Sequence, residues 1–193
     1  MKNTPNPEKI HLYVFTDESQ NPGSKGKEAS DSRILRCVEL FMGVGVEAFI
    51  ERPEGGKPRM KPDAGIYFSL SHSGKYCICA VSRQEVGVDV QSTAKKYRHE
   101  IAGRFHPDER AYLLNNGYRD FFDVWTVKES YVKFTGQGIA GGLSTFSVVS
   151  DSKITDNLPN VNAQIKFIPL DPEYSLCLCA AKIGEISVVY INE

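Results

Sequence analysis

No stretch of this 193-residue chain approaches the ~18 consecutive apolar residues that a membrane-spanning helix requires. The greasiest run, residues 40–50, is broken by Glu47. The opening Met-Lys-Asn-Thr-Pro-Asn-Pro lacks the apolar core of a secretory leader, so a cytoplasmic protein that does not engage a membrane is expected. Cysteines are few, five, and odd in number, which predicts reduced thiols rather than a disulfide framework. A surplus of one charge is also missing. Lys and Arg number 23 against 24 Asp and Glu, a net charge of −1, which excludes a globally basic nucleic-acid binder. Absent too are a G-x-x-x-x-G-K-[ST] loop, a G-x-S-x-G elbow and any H-x-x-x-H pair. A phosphate-bearing ligand would have to be held by side chains.

What remains is a globular composition, 41% hydrophobic and 24% charged, sized for one large domain or two small, tightly joined ones. Charge is unevenly spread: residues 57–61 carry three positive charges and no negative one, whereas residues 151–193 carry three lysines against six acids. Alternation and β-forming residues predict strands over 10–15, 67–70, 76–81, 86–90, 146–149, 163–168, 176–181 and 186–191. Helical spacing predicts helices over 31–42 (with a capping-type start), 98–115 and 119–135; residues 17–27 read as a surface loop. Helices and strands are mixed without strict alternation, so the fold class is α+β. Shifting the chain by 100 residues aligns Cys77-Ile78-Cys79-Ala80-Val81 with Cys177-Leu178-Cys179-Ala180-Ala181, and Glu85-Val86 with Glu185-Ile186. The repeat predicts two similar halves about a pseudo-twofold axis, each a small, mainly antiparallel sheet with a long helix. The expected division is 1–88 and 89–193, with a cleft between.

Two segments carry the chemistry. Asp89 interrupts the apolar strand Val86-Gly87-Val88-Asp89-Val90, with Gln91 on the same face. A carboxylate in such a strand needs a partner, a metal or a loop to cap. Glu129 and Lys133 lie one helical turn apart, above Trp125, a spacing that by itself describes an ordinary surface ion pair. Taken together, two carboxylates and a polar oxygen from a strand and a helix offer the hard oxygen ligands that magnesium prefers. Lys133 is placed to neutralise charge on a phosphate, and His72, between two serines, reads as a phosphate donor or a turn residue. The C-x-C pairs at 77/79 and 177/179 lack zinc-knuckle spacing and read as buried small side chains.

The order Phe68-Ser69-Leu70-Ser71-His72-Ser73-Gly74, then Gly87-Val88-Asp89-Val90, then Trp125-x-x-Lys128-Glu129-Ser130-x-x-Lys133 resembles the 4′-phosphopantetheinyl transferases of the longer, pseudo-dimeric Sfp type, over residues 57–181. The resemblance implies magnesium-dependent transfer of phosphopantetheine from coenzyme A to a serine of an apo acyl, peptidyl or polyketide carrier protein, releasing adenosine 3′,5′-bisphosphate. It implies a monomer, with Asp89, Glu129 and, more weakly, Gln91 as metal ligands. Lys133 would contact the coenzyme A phosphates, and Ser71 and His72 would hold the nucleotide, His72 near the 3′-phosphate. Lys57 would lie by the adenosine, Arg36 would bind phosphate, and Glu109 would stand near the reacting centre, with Glu129 or Glu109 as the proton acceptor. Lys128 and Trp125 would support the catalytic helix. Two departures stand out: the acid expected at 91 is glutamine, and the stretch before Arg36 is short, leaving Lys25 and Lys27 as candidates for the 3′-phosphate. Lys95-Lys96 with Tyr97-Arg98 is a candidate rim for the carrier. The competing readings are a catalytically weakened coenzyme A- or carrier-binding homologue and a magnesium-dependent phosphohydrolase.

Overall fold

Strands that are apolar on both faces need cover on both sides, and the chain supplies it with a second sheet on one side and a helix on the other. The computed structural model describes residues 9–16, 26–45, 47–54, 56–61, 65–94, 96–138, 142–155, 157–158 and 162–191. In chain order the elements are β1 (Ile10–Thr16), α1 (Lys27–Met42), β2 (Phe49–Glu51), β3 (Arg59–Lys61), β4 (Tyr67–Ser73), β5 (Tyr76–Ser82) and β6 (Val86–Ser92). There follow α2 (His99–Ala102), α3 (Pro107–Asn115), α4 (Phe121–Thr135), β7 (Val149–Ser150), β8 (Lys153–Ile154), β9 (Asn157–Leu158), β10 (Ala163–Phe167), β11 (Tyr174–Ala180) and β12 (Ile186–Ile191).

The α+β class holds. One sheet has the order β12-β1-β5-β4 and is antiparallel except for the parallel β1–β12 pair; the other, β6-β11-β10-β9, is antiparallel. Alternation decides what each side chain meets. Ile78 and Ala80 of β5 join Leu12, Val14, Val88, Leu176 and Leu178 between the sheets, while Cys77 and Cys79 pack with Ile34, Cys37 and Val38 of α1. In β11, Cys177 and Cys179 turn the other way and pack with Val124 and Val127 of α4. The two C-x-C pairs therefore lie on outward faces of different sheets, as buried free thiols.

The sheets are also stitched along one side. β4 and β6 are not paired through their backbones. Instead, Ser69, Ser71 and Ser73 Oγ accept the backbone N–H of Val88, Val90 and Ser92 at 3.0, 3.3 and 2.9 Å. The opposite face of β4, with Phe68, Leu70 and His72, is left to line a cleft.

Several expectations are corrected. The helix read over 98–115 is two, because Pro107 opens α3: the His106 ring accepts from Asp108 N, and Glu109 Oε2 accepts from His106 N at 2.9 Å. The helix read from 31 begins at Lys27, and its N-cap is Gly26 with no side-chain bond, so Asp31 does not cap it. The basic tract 57–61 belongs partly to an unanticipated hairpin, β2–β3. The predicted strand over 146–149 is only Val149–Ser150. Apart from these corrections, residues 88 and 89, where the two expected halves meet, lie within β6, which pairs whole with β11, and the last strand, β12, joins the first sheet. Lys25, Lys95 and most of the 17–27 loop lie outside the described residues. Among the described residues no helix is long and apolar enough to cross a membrane.

Candidate active site

Gly87 lets β6 and α4 come together. A Cβ at this position would lie 1.9 Å from the Ser130 carbonyl oxygen and 2.5 Å from Phe134 N, so β6 and α4 meet backbone to backbone. Two residues along β6, Asp89 is 2% exposed and points at the same helix. Its Oδ1 accepts Lys133 Nζ at 2.6 Å and Ser71 Oγ at 2.7 Å, and its Oδ2 accepts Gln91 Nε2 at 2.9 Å. Glu129, one turn before Lys133, is half-buried. Burial pushes its carboxyl up, the charge of Asp89 adds to the rise, and Lys133 opposes it. The Trp125 indole also favours the ionised form, but its N–H falls short of hydrogen-bond geometry and Nε1 has no partner.

Glu129 and Lys133 form one wall of a cleft of about 450 Å³. Lys57, Pro58, Phe68, Leu70 and His72 line it, with Ser30 and Ile34 of α1 and Arg52 from the segment after β2. Three of its cations are each held by a carboxylate. Asp89 holds Lys133, Glu85 Oε2 holds Lys57 Nζ at 2.7 Å, and Asp31 Oδ1 holds Arg52 at 2.5 Å. Lys57 also donates to the Val86 carbonyl at 2.8 Å; burial pushes its ammonium down and Glu85 works against that. Each of these cations is already paired, so the cleft offers an anionic ligand fixed N–H donors rather than net positive charge.

The predicted residues divide. Asp89, Gln91, Glu129 and Lys133 converge, and Lys57 and His72 line the same cleft. The Ser71 hydroxyl is engaged by Asp89 and Val90 N, so it orients the aspartate rather than facing the cleft. Arg36 is exposed, about 200° of helical rotation from Ile34. Arg52 lines the cleft instead, a placement that nothing local in the sequence signals, because the partner Asp31 is distant in the chain. Lys27 is exposed at the start of α1.

Glu109 is fully buried. Its Oε1 accepts Lys128 Nζ at 2.7 Å and Val148 N at 2.8 Å, while its Oε2 completes the α3 cap. Lys128, also fully buried, donates to the Phe146 carbonyl and lies 3.9 Å over the Phe146 ring. Burial disfavours both charges and each partner restores the other. The pair ties α3 to α4 and to the segment before β7.

The carboxylates of Asp89 and Glu129 with the Gln91 amide are chemically suited to a hard divalent cation, while among the described residues no three His, Cys, Asp or Glu side chains stand together. Asp89 and Glu129 stand close enough to raise the proton affinity of Glu129, a repulsion that a cation relieves. Gln91 presents its amide nitrogen to Asp89, and its oxygen, the atom that a cation needs, is the other arm of the same amide.

Several known proteins are similar to this chain. The family model described as the 4′-phosphopantetheinyl transferase superfamily matches residues 85–179. The 4′-phosphopantetheinyl transferase psf-1 of Bacillus pumilus is 35% identical over 159 residues, 77% of this chain and 68% of its own length. The 4′-phosphopantetheinyl transferase Sfp of Bacillus subtilis (strain 168) is 35% identical over 137 residues, 66% of this chain and 61% of its own. The 4′-phosphopantetheinyl transferase gsp of Aneurinibacillus migulanus is 34% identical over 161 residues, 72% and 67% of the two chains. The matched span holds β6 and α4, the elements that carry Asp89, Glu129 and Lys133, and the chain belongs to the 4′-phosphopantetheinyl transferase superfamily.

Proposed function

We propose that this chain transfers 4′-phosphopantetheine from coenzyme A to a serine of an apo carrier protein, releasing adenosine 3′,5′-bisphosphate. The observation that carries the reading is the meeting of Asp89, Glu129 and Lys133 at one wall of a cleft whose other cations are Lys57 and Arg52. Asp89 and Glu129, with Gln91 beside them, would hold magnesium, which when bound neutralises charge on the pyrophosphate.

The carrier serine oxygen attacks the β-phosphorus in line, and the bond from that phosphorus to the bridging oxygen breaks toward the bisphosphate. Glu129, on the cleft wall, takes the serine proton, directly or through one water, whereas buried Glu109 does not reach solvent. Lys133 stabilises the departing phosphate, Lys57 and Arg52 seat the nucleotide, and His72 meets the 3′-phosphate. The exposed residues Lys96, Tyr97 and Arg98 are the rim offered to the carrier.

The two-half reading is supported by matched order: β1-α1-β4-β5 and β6-α4-β10-β11 each place the strand before the long helix beside the fourth element's strand. The test is a panel of purified apo carrier proteins incubated with the enzyme, coenzyme A and magnesium. Bisphosphate release that depends on a carrier supports transfer. Release without any carrier supports a phosphohydrolase, and coenzyme A binding without release supports a non-catalytic homologue.

A further inference from the structure

The tip of the β4–β5 hairpin is clamped by a turn from the other end of the chain. Tyr174 Oη accepts the Lys75 backbone N–H at 3.2 Å. Its ring meets Tyr76 edge-on, with centroids 4.8 Å apart. Asp171 Oδ2 takes both Lys75 Nζ at 2.9 Å and Tyr76 Oη at 3.3 Å. The turn presenting these two side chains is itself fixed, since Asp171 accepts Glu173 N at 3.0 Å and Tyr174 N at 2.9 Å through its side chain and its carbonyl. Gly74, at φ +56°, makes the approach possible: a Cβ there would lie 2.2 Å from the Tyr174 hydroxyl oxygen.

The position of the clamp matters more than its strength. Gly74 and Lys75 directly follow Ser71, His72 and Ser73. Ser73 Oγ bonds Ser92 N, and Ser92 pairs with Tyr174, so the serine ladder and the clamp converge on one end of β4. His72 lines the cleft from this strand, while Glu129 and Lys133 line it from α4. A substrate touching both walls senses the spacing between them.

We infer that Tyr174 and Asp171 are positioning residues, which hold the β4–β5 tip, and through it His72, at a fixed reach from the Asp89–Glu129–Lys133 group. The inference rests on the transferase reading, with the 3′-phosphate of coenzyme A at His72. It assigns no chemistry to either residue. Loss of the clamp loosens one end of the substrate's seat and leaves the reacting end intact, so the effect belongs to binding and to that part of the ligand which reaches His72.

The experiment compares wild type, Tyr174→Phe and Asp171→Asn with coenzyme A and with dephospho-coenzyme A. Hydrogen exchange at the Lys75 amide should quicken by about tenfold in Tyr174→Phe, the scale of one hydrogen bond. KM for coenzyme A should rise by roughly 3–10-fold in both variants while kcat stays within about twofold, the pattern of lost binding without lost chemistry. KM for dephospho-coenzyme A, which has no 3′-phosphate to lose, should match wild type. Equal rises for both substrates overturn the inference and leave a merely structural turn, and so does an unchanged KM for coenzyme A. A wild type that modifies no carrier overturns the transferase reading instead. Calorimetric binding of the two ligands to the same three proteins then decides the clamp: weakening for coenzyme A alone supports it, and parallel weakening, or no coenzyme A binding by wild type, overturns it.

Discussion

Asp89 is tolerated in an apolar strand because three donors from three elements, Ser71 on β4, Gln91 on β6 and Lys133 on α4, meet its two oxygens. Substitutions in this group have measurable consequences. Lys133→Ala and Glu129→Gln should each lower turnover by about 100-fold or more while circular dichroism stays native, since charge on the transferred group is stabilised chiefly in the transition state; near-normal turnover in either variant contradicts the site. Gln91→Glu should lower the magnesium concentration for half-maximal activity, because a carboxylate adds charge where the amide is neutral, and Asp89→Asn should raise it steeply. A magnesium titration of the three proteins checks both. Glu109 behaves differently. Lys128→Ala leaves its carboxyl unpaired in the core and should cost about 3–5 kcal/mol, much of which Lys128→Met with Glu109→Leu should restore. Denaturant melts check this, and turnover per folded molecule should survive in the double variant; its loss would return Glu109 to the chemistry.

At the scale of elements, the contact of α4 with β6 turns two unremarkable sequence segments into a site. Gly87→Ala forces a methyl against the Ser130 carbonyl, backbone that cannot swing aside, and should cost about 1–3 kcal/mol. Turnover should fall further than stability, because Glu129 and Lys133 move with the helix; thermal melts and kinetics on one preparation test it. β5, β11 and α4 were legible because β-formers and helical spacing run unbroken through them, and Asp89 was legible because it breaks such a run. The hairpin β2–β3 was hidden by strands of three residues each, too short to show alternation. Pro107 passed for a helix interior because its role as a first helical residue depends on the His106–Glu109 cap around it. Arg52 and the engagement of Ser71 by Asp89 were not legible, since both depend on partners brought from distant segments. Arg36 carried the expected charge on a face turned away from Ile34, and which face of a helix meets the cleft is set by packing.

At the scale of the molecule, two sheets share one apolar layer and the serine ladder closes one side of it, so the walls of the cleft come from different sheets while belonging to one folded body. The parallel return of β12 to β1 reinforces this, and no local feature of residues 186–191 announces it. The cleft runs from Glu129 and Lys133 on α4 to Arg52, Ser30 and Ile34, and on the proposed reading the first would be the reacting end and the second the nucleotide end. Intact-mass spectrometry of each apo carrier in the panel reads the transfer itself. With coenzyme A and magnesium, the wild-type chain should add a single phosphopantetheine to an accepted apo carrier, and should add nothing when the carrier serine is replaced by alanine or when Lys133→Ala is the enzyme. An unmodified carrier across the whole panel, or modification that persists without the carrier serine, would contradict the account.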